Sequence, residues 1–256
     1  MKIVLIGAGN VATHLGTAFK KKGLEILQVY SRTEESAKFL GELLSVPYCF
    51  TLEDVNTSAD IYIYAVKDSF LEATLRKVCI PNAIHVHTAG SVPMAVFENH
   101  TPRYGVIYPL QTFSKNKEIK MKEVPFFIEA SDKETEEKLR EIVSAVSDNC
   151  YYLSSEKRLL MHLSAVFASN FTNYMYVLAS EITTEAGIDF NVLMPLIKET
   201  ADKLNYLTPA EAQTGPAARS DEKTIEIHKK ILANKDNLYR IYSLLSESIE
   251  KSAKSR

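Results

Sequence analysis

Tryptophan is absent from the 256-residue chain, cysteine occurs three times, and glycine and proline nine times each. Cys49, Cys79 and Cys150 stand far apart with no C-x-x-C pair, which argues against a disulfide framework or a zinc ribbon and suits a reducing compartment. No window approaches the roughly 20 apolar residues of a membrane helix. The N-terminus carries one lysine and a short apolar run ending in glycines. It lacks the length and cleavage site of a signal peptide, so it reads as a first strand in a cytoplasmic protein. Charge of one sign is also missing: 30 basic and 32 acidic residues are mixed throughout, for a net charge of -2. A nucleic-acid partner would call for a basic face or tail, and none is expected here. Neither a G-x-S-x-G elbow nor an H-E-x-x-H helix occurs, which sets hydrolase chemistry aside. No repeat or low-complexity segment interrupts the chain.

What remains is ordinary globular composition, 46% hydrophobic and 24% charged, at a length comfortable for two domains. The first half alternates short apolar runs with amphipathic stretches. Strands are expected at Lys2–Ile6, Glu25–Tyr30, Tyr48–Phe50, Ile61–Val66, Ala83–His87, Tyr104–Ile107, Val124–Glu129 and Cys150–Leu153. Helices are expected at Asn10–Lys22, after the S-x-x-E spacing of Ser31–Glu34, and after Ser131-Asp132. The rhythm predicts an α/β fold, a Rossmann-type doubly wound and mostly parallel sheet with antiparallel strands at an edge. Beyond residue 153 only helical patterns follow, at Ser155–Ala186, Phe190–Leu207, Asp221–Ala233 and Asn237–Ala253, with a frayed tail. The expected division is therefore a dinucleotide-binding domain, 1–153, and an all-α domain for substrate and dimerisation, 154–256.

Gly7-Ala8-Gly9-Asn10-Val11-Ala12 follows the first strand and opens the first helix. The first glycine permits a tight turn and the second lets backbone approach a pyrophosphate. The small third residue allows close helix–sheet packing, while free N–H groups and the helix dipole favour the anion. Gly7, Gly9, Asn10 and Val11 are thus candidate cofactor contacts. The end of the second strand carries Ser31-Arg32-Thr33 where an NAD site usually has a carboxylate. Two hydroxyls and a guanidinium suit a 2′-phosphate, so NADP is expected ahead of NAD. Ser31 could equally cap a helix, with Arg32 in solvent. Val66-Lys67 and Thr88-Ala89-Gly90 reach the carboxyl edge of the sheet, where ligands of open α/β sheets lie. Lys67 could face the nicotinamide ribose or substrate, or be a surface lysine. His85 and His87 share one strand face, but no carboxylate or cysteine completes a ligand set, so no metal is expected. His85 reads as packed and His87 as lying at the cleft edge.

The phosphate loop with Ala65-Val66-Lys67 resembles the N-terminal domain of pyrroline-5-carboxylate reductases and deazaflavin-dependent NADP oxidoreductases. Tyr108-Pro109-Leu110-Gln111-Thr112-Phe113, His162 with Ala165-Val166-Phe167-Ala168-Ser169-Asn170-Phe171, and Thr214-Gly215-Pro216-Ala217-Ala218-Arg219 resemble the Rossmann-like proteins with a DUF2520-type C-terminal domain. That resemblance runs nearly end to end and implies NADP oxidoreductase activity and a Rossmann fold, without naming a substrate. Two departures stand out: such proteins often have histidine at Tyr108 and glycine at Ser220. The wider 6-phosphogluconate-dehydrogenase-like group implies a catalytic lysine with an asparagine one turn later, and no such pair stands in Leu159–Leu178.

On that stretch His162, Ser169, Asn170 and Asn173 fall close to one face of a straight helix. Polar groups aligned on an apolar helix are costly to bury unpartnered, so they are expected to face an interdomain cleft. There His162 could protonate a carbonyl oxygen or imine nitrogen as hydride arrives, and Asn170 could hold that atom. Both could instead tie helices together. The expectation is an NADP-dependent oxidoreductase of a small carbonyl or imine substrate; the alternative is a non-catalytic NADP-binding sensor or scaffold. The apolar helix from Leu159 also predicts a homodimer through the helical domain.

Overall fold

The computed structural model describes residues 1–78, 80–115 and 117–254; Cys79 lies outside them. Eight strands form one sheet: β1 (Lys2–Ile6), β2 (Glu25–Tyr30), β3 (Tyr48–Cys49), β4 (Ile61–Tyr64), β5 (Ile84–His87), β6 (Tyr104–Pro109), β7 (Phe126–Ala130) and β8 (Cys150–Tyr152). Their order is β3-β2-β1-β4-β5-β6-β7-β8. The chain winds outward from β1 in both directions, so a crevice opens at the carboxyl ends of β1 and β4. Ile3–Ile6 and Ile61–Ile63 have no exposed surface, as strands covered on both faces should. Along β1, Ile3 and Leu5 enter one core and Val4 and Ile6 the other.

The first core is closed by α1 (Asn10–Lys21) and α4 (Lys133–Val146), through Leu15, Phe19, Leu139 and Val143. The other is closed by α3 (Asp68–Leu75), through Leu71 and Leu75. α2 (Glu34–Leu44) follows β2. Asp132 caps α4 by accepting from Thr135 N at 2.8 Å. The capping box expected at Ser31–Glu34 does not form: Thr33 occupies the cap position of α2 and makes no side-chain bond to it. The antiparallel pairing also differs in place. It joins β6 to β7 inside the sheet, and the edge strand β8 runs parallel to β7. Among the described residues between β6 and β7 there is a short 3-10 turn at Met121–Glu123, whereas α4 supplies the crossover that a parallel return to β8 requires.

The helix expected over Ser155–Ala186 is interrupted. α5 (Ser155–Ala165) passes into a π-helical segment, Val166–Phe171, before α6 (Thr172–Glu185). A π turn takes an extra residue, so positions beyond it rotate by roughly 100° from a straight helix. The stripe linking His162 to Asn170 and Asn173 is therefore broken. The chain divides into two compact units, Met1–Asn170 and Phe171–Arg256. This division falls later than residue 153 because α5 is bonded to the sheet. Arg158, 1% exposed, forms an ion pair with Glu129 of β7 and donates from Nη2 to the Val92 carbonyl at 2.5 Å.

The second unit contains α6, α7 (Met194–Asp202), α8 (Glu222–Ile231) and α9 (Asp236–Lys254). Its first helix, α6, ends as the sequence predicts, with Gly187 at φ +68° and Asp189 accepting from Asn191 N at 2.9 Å. Ser220 takes φ +55°, so a serine holds a left-handed turn of the kind that favours glycine. His228 Nδ1 meets Tyr242 Oη at 2.9 Å, joining α8 to α9. Among the described residues no helix is long and apolar enough to cross a membrane.

Candidate functional site

At the crevice, Gly7 and Gly9 have different duties. Gly7 has φ +121°, and a Cβ there would stand 2.3 Å from the Ala65 carbonyl oxygen, so only glycine lets β1 turn against β4. A Cβ on Gly9 would meet nothing within 4 Å; the space before the first turn of α1 is open. No acidic residue stands in that first turn, which leaves its N–H groups and dipole to an anion. Ala12 is fully buried against the sheet.

Ser31, Arg32 and Thr33 border this space, with Ser36, Val66 and Lys67, in a cleft of about 350 Å³. Among the described residues that line it, none is a carboxylate. The Arg32 guanidinium lies 3.8 Å from the Phe70 ring centroid, an arrangement that holds a cation in place while its edge N–H groups remain available. Asn10 turns its side chain away, donating from Nδ2 to the Phe113 carbonyl at 2.7 Å. Val11 packs against the core.

A second constellation stands at the carboxyl ends of β5 and β6. Tyr108 Oη and His162 Nδ1 are 3.0 Å apart, over Gly90, where a Cβ would be 2.7 Å from His162 Nδ1 and 2.9 Å from Tyr108 Cζ. Gly90 thus admits the imidazole of α5 to the sheet edge. Burial pushes the Tyr108 phenol up, with the Arg158 charge opposing. The phenol stays protonated at neutral pH, and it shares with Nδ1 one hydrogen bond whose donor follows the imidazole tautomer. Thr88 is buried with its backbone N–H on the Tyr64 carbonyl at 3.1 Å. Asn170 is exposed at the far part of the π segment, about two helical turns beyond His162.

Behind this pair the groups are buried, and among the described residues His87 Nε2 and Arg158 Nε have no hydrogen-bond partner. Glu129 accepts from Ser155 N at 2.8 Å and Ser155 Oγ at 2.7 Å besides its ion pair with Arg158. His87 has no exposed surface, which corrects the cleft-edge expectation: it stacks on Phe97 at 5.6 Å and accepts from Ala89 N at 3.1 Å. Burial, and then the Arg158 charge, lower its pKa to about 3. His85 is packed as expected, beside Tyr62 at 5.1 Å and bonded to Tyr64 Oη at 2.9 Å. Among the described residues no group of three or more His, Cys, Asp or Glu stands together.

Two family models match the chain. Residues 2–87 match the NADP oxidoreductase, coenzyme F420-dependent family, and residues 124–249 match a domain of unknown function, DUF2520. A solved structure from Bacteroides fragilis, provisionally described as an NADP oxidoreductase, is 49% identical over 98% of both chains, with a TM-score of 0.92. The chain belongs to this family of NADP oxidoreductases with a DUF2520 domain. An imine reductase from Myxococcus stipitatus, solved with NADP+, shares the fold at TM-score 0.70 and 16% identity, over 100% of this chain and 95% of that one. A pyrroline-5-carboxylate reductase from Streptococcus pyogenes does so at TM-score 0.65 and 15% identity, over 100% and 99%. None of the curated proteins matches.

The family brings a nicotinamide cofactor, and the open N-terminus of α1, the unobstructed Gly9 and the carboxylate-free cleft fit one. In this family member the sequence-named Gly7, Ser31, Arg32, Thr33, Val66 and Lys67 gather around that cleft, and Gly90 joins His162 instead. Sequence reasoning missed Tyr108, Ser36, Phe70 and Lys115. Tyr108 near the carboxyl end of a strand could have been found by the same edge rule that selected Lys67 and Thr88.

Proposed function

We propose that the protein is an NADP-dependent oxidoreductase acting on a small carbonyl or imine substrate. The observation that carries this is the Tyr108–His162 hydrogen bond at the strand ends beside Gly90. A nicotinamide bound at the cleft would supply or accept the hydride. As an imidazolium, His162 gives its Nε2 proton to the substrate oxygen or nitrogen and is left neutral, while the Tyr108 hydroxyl bonded to Nδ1 holds the ring's orientation. Lys67, exposed at the mouth of the cleft, orients cofactor or substrate. Arg32 with Ser31 and Thr33 favours the 2′-phosphate of NADP over the 2′-hydroxyl of NAD. The imine half of the substrate class is supported by distant fold relatives described as an imine reductase, reductive aminases and a pyrroline-5-carboxylate reductase.

The same reading makes the protein a cytoplasmic homodimer. Leu160 and Leu163 of α5 are 63% and 50% exposed in the single chain, apolar surface that a second copy would cover. A monomeric mass by light scattering at micromolar concentration would remove this part.

The deciding experiment is titration calorimetry with NADPH and then NADH, followed by turnover on a panel of carbonyls and imines. NADPH binding with turnover that His162→Ala lowers by about 10²–10⁴-fold at unchanged NADPH affinity is the expected result. NADPH binding without turnover on any substrate would make the protein a sensor, and binding of neither nucleotide would remove the whole reading.

A further inference from the structure

We infer that Lys115, delivered from the loop after β6, is a second cation for the adenosine 2′-phosphate, facing Arg32 across the cleft. The inference rests on the NADP reading and extends it to a residue that lies outside the phosphate-loop and β2 motifs. Lys115 lines the same cleft as Ser31, Arg32, Thr33 and Ser36. Its Nζ lies 5.0 Å from the ring centroid of Phe39, in α2 and 48% exposed. Arg32 stands on Phe70, 37% exposed, at 3.8 Å. Two half-open aromatic faces therefore each seat a cation, which limits the side-chain freedom lost when an anion arrives.

The loop that carries Lys115 is held to the helix that begins at the phosphate loop. Besides the Asn10 bond to the Phe113 carbonyl at 2.7 Å, His14 Nε2 lies 3.0 Å from the Ser114 carbonyl oxygen, and its ring stacks on Phe113 at 4.9 Å. Asn10 accordingly serves the nucleotide through this loop, by fixing where Lys115 emerges. Arg32, Lys67 and Lys115 line the cleft without a carboxylate, a balance matched to a ligand with a 2′-phosphate as well as a pyrophosphate. A guanidinium offers a planar fork and an ammonium a compact point charge, so the two can engage different oxygens of one phosphate. A 2′-hydroxyl would offer Lys115 no charge, so its contribution is selective. A neighbouring hollow of about 480 Å³ along α1 also includes Lys115 in its wall, and retention of that hollow's shape in the variants makes no difference to the test.

The test is calorimetry on the full chain, wild type, Lys115→Ala and Lys115→Arg, with NADPH, NADH, adenosine 2′,5′-bisphosphate and AMP. Lys115→Ala should weaken NADPH and the bisphosphate by about tenfold while NADH and AMP stay within about twofold, and Lys115→Arg should keep most of the preference. Unchanged NADPH affinity, or an equal loss for NADH, would overturn the assignment while leaving the NADP reading in place. Wild type that takes NADPH no better than NADH would remove that reading itself, and Lys115's role with it.

Discussion

The two ends of the crevice are made of different material. Around β1 and β2 the functional groups are exposed: hydroxyls, a guanidinium on an aromatic face, and lysines. Around β5 and β6 they are covered: a phenol 8% exposed on an imidazole, with the Glu129–Arg158 ion pair and His87 behind. Open cations attract and orient a polyanion without first being stripped of water, and their energies are modest and screened by salt. Buried partners hold one protonation state and one geometry, at a desolvation cost that only complete bonding offsets. The proposed function thus assigns affinity and chemistry to surfaces with different sensitivities.

The contrast can be broken most forcefully from below. Arg158→Ala leaves Glu129 charged, 7% exposed and without its ion-pair partner. We expect about 3–5 kcal/mol lost in urea unfolding, with much of it recovered when Glu129→Leu is added. A loss below about 1 kcal/mol would show that the pair is solvated in solution. Next in size, Tyr108→Phe keeps the ring and removes only the hydroxyl that bonds His162. Turnover should fall by at least about tenfold with NADPH affinity unchanged, and the pH profile of kcat should shift, whereas a purely packing role would move neither.

Acid separates the two ends as well. With its pKa held at about 3 by burial first and the Arg158 charge second, folded His87 stays neutral, while the unfolded chain protonates it near 6.5. Its contribution is fully present above that pH and declines as pH falls toward 3. Unfolding free energy should therefore drop by about 2 kcal/mol between pH 6.5 and 4.5 on this account, and His85, lowered by burial, acts in the same direction. His87→Gln should flatten the profile; an unchanged slope would place the acid sensitivity elsewhere. The smallest change is Arg32→Ala. We expect NADPH binding weaker by about tenfold or more, NADH binding and melting temperature unaltered.

The nucleotide end was legible because it is local. Gly7 to Ala12 and Ser31 to Thr33 each lie within one strand–helix junction, where turn chemistry and helix ends act on neighbours in the chain. The Tyr108–His162 end was half legible. His162 stood out as a polar group on an apolar stretch, but its partner Tyr108 lies 54 residues earlier, too far apart in the chain for local pattern to link them. The structure pairs that phenol with His162. The π segment at Val166–Phe171 was invisible because the apolar pattern continues through it, and a straight helical wheel then aligned Asn170 with His162. α3 was passed over because eight residues show too few turns for a period to emerge. His87 was misplaced because position on a strand does not reveal that Phe97 and Arg158 close over it.

Gly7 and Gly9 are interchangeable letters in the motif, yet the backbone separates what each forbids. Alanine at Gly7 collides with Ala65, whereas alanine at Gly9 meets nothing within 4 Å and would intrude only on a bound ligand. A library of variants sorted for soluble expression would therefore discard Gly7→Ala and retain Gly9→Ala as innocuous. Sorted for nucleotide retention, the same library would lose both, and positions that pass the first sieve and fail the second would trace the ligand's outline.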